Sequence, residues 1–111
     1  MEVQINSGIK NRTLVIKVSG KLNTTTAPEL ETRINEEFRP TLPLDTLILD
    51  LSELSYISSA GLRVLMALQK NIMKQRYGTR SLILQNPSGF CMQVFETIGV
   101  DAFFNIRRTD D

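Results

Sequence analysis

Two adjacent hydroxyls, Ser58 and Ser59, stand where an apolar run turns into a strongly apolar helical pattern, in Leu49-Asp50-Leu51-Ser52-Glu53-Leu54-Ser55-Tyr56-Ile57-Ser58-Ser59-Ala60-Gly61-Leu62. The first N–H groups of a helix lack partners within it, so this junction supports two chemistries. A serine can cap the helix, and an anion can be held at its positive end. The spacing predicts Ser58 as the N-cap and Ser59 as the first helical residue, which leaves the Ser59 hydroxyl without a capping task. A phosphate on Ser59 would add about −1.5 to −2 charges where a helix tolerates them, so it would act on a docked partner more than on the fold. Ala60 and Gly61 keep the turn narrow. Another backbone can approach there, either a partner's or that of the protein's own sheet.

Other chemistry is largely excluded. The chain has no histidine, which removes Ser-His-Asp and Cys-His catalysis and the commonest metal ligand. Ile57-Ser58-Ser59-Ala60-Gly61 also departs from the G-x-S-x-G elbow of serine hydrolases. A nucleotide or small-molecule site would rest only on the helix N-terminus, because no glycine-rich phosphate loop is present. The expectation is a non-enzyme with no catalytic residue, no metal and no cofactor.

With 111 residues, 41% of them hydrophobic, the chain has material for one core, and residues 1–111 read as one domain. Thirteen basic and twelve acidic residues leave a net charge of +1 without long runs of either sign, so nothing marks a nucleic acid or an anionic membrane as partner. The partner expected is a protein. Cys91 is the sole cysteine, which precludes an intrachain disulfide and favours a reducing compartment; in its helical pattern it reads as a small buried hydrophobe. No apolar run approaches the ~20 residues that span a bilayer, and Met1-Glu2-Val3-Gln4-Ile5-Asn6 lacks the features of a signal peptide. A soluble, cytoplasmic protein without membrane insertion is the expectation.

The elements that position the serines follow from periodicity. Val3, Ile5 and Gly8, then Leu14, Ile16 and Val18, alternate on either side of Ile9-Lys10-Asn11-Arg12 and predict a hairpin that ends at Gly20. Thr26-Ala27-Pro28-Glu29 has capping-box spacing, and Ala27, Leu30, Ile34 and Phe38 share a face of a helix over 27–38. Pro40 and Pro43 end it. Leu47-Ile48-Leu49-Asp50-Leu51 suits a central strand, and a helix over 59–77 carries Leu62, Leu65, Met66, Gln69, Ile72 and Met73, closed by Gly78. Val64, Ala67 and Leu68 widen that stripe, which implies deep burial or an exposed docking face. Leu82-Ile83-Leu84 forms a further strand, and Pro87 starts a helix bearing Cys91, Val94, Phe95 and Ile98 and ending at Gly99. Phe103-Phe104-Asn105-Ile106 suits a last short strand. Alternating elements predict the α/β class, with parallel crossovers in a mixed sheet of four to five strands supporting three to four helices.

With these residues in place, the sequence resembles the STAS domain family, and in particular its bacterial anti-sigma factor antagonists, over nearly its whole length. The resemblance is carried by Asp50-Leu51-Ser52 and Tyr56-Ile57-Ser58-Ser59-Ala60-Gly61-Leu62, and by Gly20-Lys21-Leu22-Asn23 ahead of Thr26-Ala27. Ile98-Gly99-Val100-Asp101-Ala102-Phe103-Phe104 is similar to the segment in which such domains leave their last helix. The resemblance implies a cycle. An anti-sigma factor with serine kinase activity binds the unphosphorylated antagonist and releases its sigma factor; phosphorylation ends the binding, and a serine phosphatase resets it. ATP would belong to the kinase. By motif position Ser59 matches the phosphoacceptor and Ser58, the alternative acceptor, takes the place of a frequent Asp; Asn23 also replaces an Asp. The resemblance places partner contacts at Asn23, Thr24, Ser58, Ser59, Ala60, Gly61, Leu62 and Arg63. The competing expectation is a STAS scaffold or accessory subunit of a signalling or transport complex, docked constitutively and never phosphorylated.

Overall fold

Period-two alternation sets the sheet. In the second strand Leu14, Ile16 and Val18 are fully buried while Val15 and Lys17 face outward, as expected of a strand with one face on a core. The computed structural model describes residues 3–10, 12–37, 45–74 and 81–109. Strands β1 (Val3–Lys10) and β2 (Thr13–Leu22) form the antiparallel hairpin, registered from Val3 opposite Gly20 to Lys10 opposite Thr13. There follow α1 (Ala27–Glu37), β3 (Thr46–Asp50), β4 (Leu54–Ile57), α2 (Ser59–Met73), β5 (Ser81–Gln85) and α3 (Gly89–Ile98). A single 3₁₀ turn (Asp101–Phe103) and β6 (Ile106–Arg107) complete the described chain.

The strands run in the order β1-β2-β3-β5-β6, all parallel to β2 except β1. The α/β class and the central place of β3 agree with the sequence reading; the strand count does not. Six strands are present among the described residues, because Leu54–Ile57 forms β4 where four to five strands were expected. Its burial pattern, two buried ends around exposed Ser55 and Tyr56, has no clean period of two and hides it from a periodicity search. β3 and β4 lie along β2 in succession: Thr13–Lys17 pairs with β3, and Gly20–Leu22 pairs with β4.

The irregularity between them falls at Gly20, whose φ of 98° suits glycine and whose N–H donates to the Glu53 carbonyl. Gly20 therefore bends β2 instead of ending it. Lys17 and Glu53 form an ion pair across this step, which raises the Lys17 pKa, and the Ser55 hydroxyl donates to the Gly20 carbonyl.

The helices close the core. Leu30 and Ile34 of α1 and Leu62, Leu65, Leu68 and Ile72 of α2 are buried with Leu47 and Leu49 of β3. Of the broad stripe of α2, Leu62, Leu65, Leu68 and Ile72 are thus core, Val64, Met66, Ala67 and Gln69 are half-buried, and Met73 is exposed. Phe95 of α3, fully buried, lies 5.5 Å from the Phe104 ring. α3 starts two residues later than Pro87 at its first position would imply: Ser88 is the N-cap, accepting from the Cys91 N–H at 3.3 Å and donating to the Leu54 carbonyl at 2.6 Å. Gly99 closes α3 in the left-handed region with φ of 85°. The Phe103–Ile106 strand is displaced to Ile106–Arg107, since Phe103 belongs to the 3₁₀ turn. α2 ends at Met73 with Lys74 as its C-cap, short of the helix expected over 59–77; Phe38, Pro40, Pro43 and Gly78, used above to bound the first two helices, lie outside the described residues.

Cys91 has the environment expected of a core residue. It is fully buried, and burial pushes its thiol pKa up. In the native protein at pH 8 it should react with a thiol-specific disulfide reagent at least about a hundredfold more slowly than after unfolding in guanidinium. A fast native reaction would contradict this packing. The raised pKa also has a sign: its stabilising contribution is present below the ordinary thiol pKa and fades as pH rises through the folded value.

Candidate functional site: the start of α2 and the loop beside it

The site grows from the carbonyl of Leu22, the last residue of β2. It accepts the Ser58 N–H at 2.9 Å, tying the entry of α2 to the sheet. Ser58 then leaves β4 with extended backbone (φ −92°, ψ 174°), its hydroxyl accepts from the Gly61 N–H at 3.3 Å, and its carbonyl accepts from the Leu62 N–H at 2.9 Å. This is the N-cap expected from the sequence. Ser59 is the first helical residue and is exposed. The first turn of α2 carries no acidic residue, so its positive end is available to an anion.

Gly61 shows why the turn is narrow. A Cβ there would lie 2.7 Å from the Leu22 carbonyl oxygen, 2.9 Å from Leu22 Cγ and 3.1 Å from Ile57 Cγ1. Of the two reasons considered for Ala60-Gly61, close approach to the protein's own sheet accounts for Gly61. Gly61 and Leu62 are buried and set the helix in place, with only an edge of Leu62 reaching the hollow along α2.

The loop after β2 is built around Asn23. Its Oδ1 accepts from the Thr25 N–H at 2.9 Å and the Thr26 N–H at 3.1 Å, and its carbonyl accepts from the Ala27 N–H at 2.8 Å. An aspartate could accept the same bonds, so Asn at this position keeps the loop while removing a charge. Thr26 does not complete the capping box. Its hydroxyl, buried, turns back to donate to the Lys21 carbonyl at 2.7 Å and to accept from the Asn23 N–H at 2.8 Å, and Glu29 N–H bonds the Thr26 carbonyl instead. The tertiary demand of the loop outweighs the local motif.

Two open hollows bring the exposed members together. One, about 310 Å³, lies between α1 and α2 and is lined by Thr24, Ala27, Pro28, Ala60, Arg63 and Ala67, with Glu31 at its rim. The other, about 400 Å³, runs along α2 past Ser59, Leu62, Arg63, Met66, Ala67 and Lys70. They share Arg63 and Ala67. The structure thus gathers Thr24, Ser59, Ala60 and Arg63 on one surface, with Asn23, Ser58, Gly61 and Leu62 as its support. Met66 and Ala67 belong to the stripe read from the sequence as buried or docking, whereas Lys70 was missed, although its spacing from Ser59 and Arg63 follows one helical face.

The division of labour between the serines is testable by melting. Ser58→Ala should cost about 1 kcal/mol, roughly 4 °C, whereas Ser59→Ala should stay within about 0.5 kcal/mol. Equal losses would contradict the capping assignment.

The STAS domain family model matches residues 1–111. The chain belongs to the STAS domain family. Solved structures similar to this STAS protein include an anti-sigma factor antagonist from Mycobacterium paratuberculosis, 25% identical with a TM-score of 0.73, covering 95% of this chain and 85% of that one. The unphosphorylated anti-sigma factor antagonist SpoIIAA is 20% identical with a TM-score of 0.75, covering 97% and 90%. SpoIIAA, a Bacillus cell fate determinant, is also solved phosphorylated. A different context is given by SLC26A9, 17% identical with a TM-score of 0.66, which covers 88% of this chain but 17% of its own. No curated protein matches the sequence. No described helix is long and apolar enough to cross a membrane.

Proposed function

We propose that this STAS protein is an anti-sigma factor antagonist whose binding to a serine-kinase anti-sigma factor is switched off by phosphorylation of Ser59, releasing the sigma factor while Ser59 is unmodified. One observation carries the reading: Ser59 is exposed at the first position of α2 while its neighbour Ser58 does the capping. The hydroxyl can take a phosphate without loss of the cap, and the phosphate would meet the positive end of α2 and, four residues on, Arg63. The fold would stay put and the surface would change sign. Ser58 is the alternative acceptor, but its hydroxyl oxygen is already engaged by the Gly61 N–H. A serine phosphatase would reset the cycle, and the domain needs no cofactor of its own. Its place of action would be the cytoplasm.

Affinity purification from the protein's own host tests the partner. Wild type should retain a kinase-fold ATPase that Ser59→Asp loses. Equal recovery with both would overturn the switch.

A second reading is favoured by the match to a small part of a much longer protein, murine Slc26a9, solved as an anion transporter. In it the same surface is a constitutive dock in a larger complex. Stable copurification with a membrane or multi-subunit assembly, with no phosphate on the protein, would support it.

A further inference from the structure

We propose that the exposed face of α2 is a groove for an acidic amphipathic helix of the partner, with Arg63 and Lys70 as its two charge contacts; the inference rests on the reading of Ser59 as a partner-facing switch. The hollow along α2 holds two cations and no carboxylate, and its remaining lining is Ser59, Leu62, Met66 and Ala67. Arg63 and Lys70 are exposed and seven residues apart, two helical turns or roughly 10 Å along one face. Among the described residues neither has an ion-pair partner. Ala60 and Ala67 repeat the same spacing beside them and keep the ridge low, which lets a second helix pack closely.

Charge at the start of α2 agrees. Asn23 supports the loop without a carboxylate, Ser58 caps without one, and the first turn of α2 has no acid, so the start of α2 itself does not repel an acidic partner. Lys74 at the end of α2, exposed, continues the positive side. Glu31 of α1 lines the neighbouring hollow between α1 and α2, so the docked helix must turn its carboxylates toward α2 and a neutral or basic side toward α1. A phosphate on Ser59 would then act twice: it repels the partner's carboxylates and occupies Arg63 from one turn away.

The test places the photo-crosslinker p-benzoylphenylalanine at Met66, or at Gln93 on the exposed side of α3, in the full chain expressed in its own host. The expected result is an adduct from Met66 whose partner peptide is a helix with carboxylates spaced i, i+7. Its yield should fall at least about tenfold with Arg63→Glu plus Lys70→Glu but not with Lys10→Glu at the far end of the sheet. Melting curves of the charge variants confirm that each is folded. No adduct at Met66, an adduct to a basic segment or to a second copy of this chain, or a yield indifferent to the charge reversal would overturn the proposal. The two readings separate cleanly. A kinase-fold partner captured only from Gln93 leaves the antagonist reading standing without the groove, and an acidic helix from a protein that is no kinase leaves the groove without that reading.

Discussion

Gly61→Ala is expected to melt about 8 °C below wild type, a loss of about 2 kcal/mol. The added Cβ would sit 2.7 Å from the Leu22 carbonyl oxygen and 2.9 Å from Leu22 Cγ. The nearest clash is with backbone that already holds the Ser58 N–H at 2.9 Å, so relief requires α2 to move off the sheet. Overpacking of this kind costs about 1–3 kcal/mol, and a clash with backbone belongs at the upper end. Alanine in place of glycine within a helix returns up to about 1 kcal/mol. The net sign is still destabilising, and for a domain of this size each kcal/mol is worth about 4 °C. Gly89 provides the control: nothing lies within 4 Å of its would-be Cβ, so Gly89→Ala should melt at or slightly above wild type. A Gly61→Ala protein as stable as wild type would show that α2 does not rest on Leu22 as described. A second consequence concerns the site, since a displaced α2 carries Ser59 and Arg63 with it.

Ser59→Asp should separate stability from binding. A carboxylate at the first helical position is favoured by about 0.3–1 kcal/mol, so the variant should melt about 1–4 °C above wild type. Binding to the kinase partner should weaken about thirtyfold, or roughly 2 kcal/mol, as a new negative charge is desolvated against the partner's carboxylates. The opposite signs are the point. A variant that lost binding because it lost structure would show both falling, as Ser58→Ala should in mild form once its cap is gone. Calorimetric melting beside titration calorimetry with the purified kinase distinguishes the cases. Unchanged affinity for Ser59→Asp would contradict a charge-read switch at this position.

How much of this was legible in the sequence depends on whether local pattern and tertiary demand agreed. They agreed at β2, where Leu14, Ile16 and Val18 face the core, and at α2, where the cap, the first helical residue and the buried stripe of Leu62, Leu65 and Ile72 all follow from spacing. They disagreed at β4. Tyr56 is exposed beside the exposed Ser55, its ring tilted against Phe90 of α3 at 5.5 Å, so the strand shows no alternation. Thr26 was misread because capping-box spacing says nothing of the carbonyl of Lys21 waiting five residues upstream. Gly20 was read as a stop because a glycine that ends a strand and one that bends it look alike until the partner strand is known. In the site, the serines were visible from type and position, and the close approach that demands Gly61 was one of two stated reasons for it. The basic edge at Lys70 was not found, since a lone lysine on a helix reads as solvated surface until the hollow beside Arg63 is seen.

The central claim is that Ser59 is the residue modified. Intact-mass and phosphosite mass spectrometry of the protein purified from its own host, beside Ser58→Ala and Ser59→Ala, tests it most directly. The account predicts one phosphate that survives Ser58→Ala and disappears with Ser59→Ala. A protein unmodified in every growth and stress condition, or a phosphate that persists in Ser59→Ala, would contradict it.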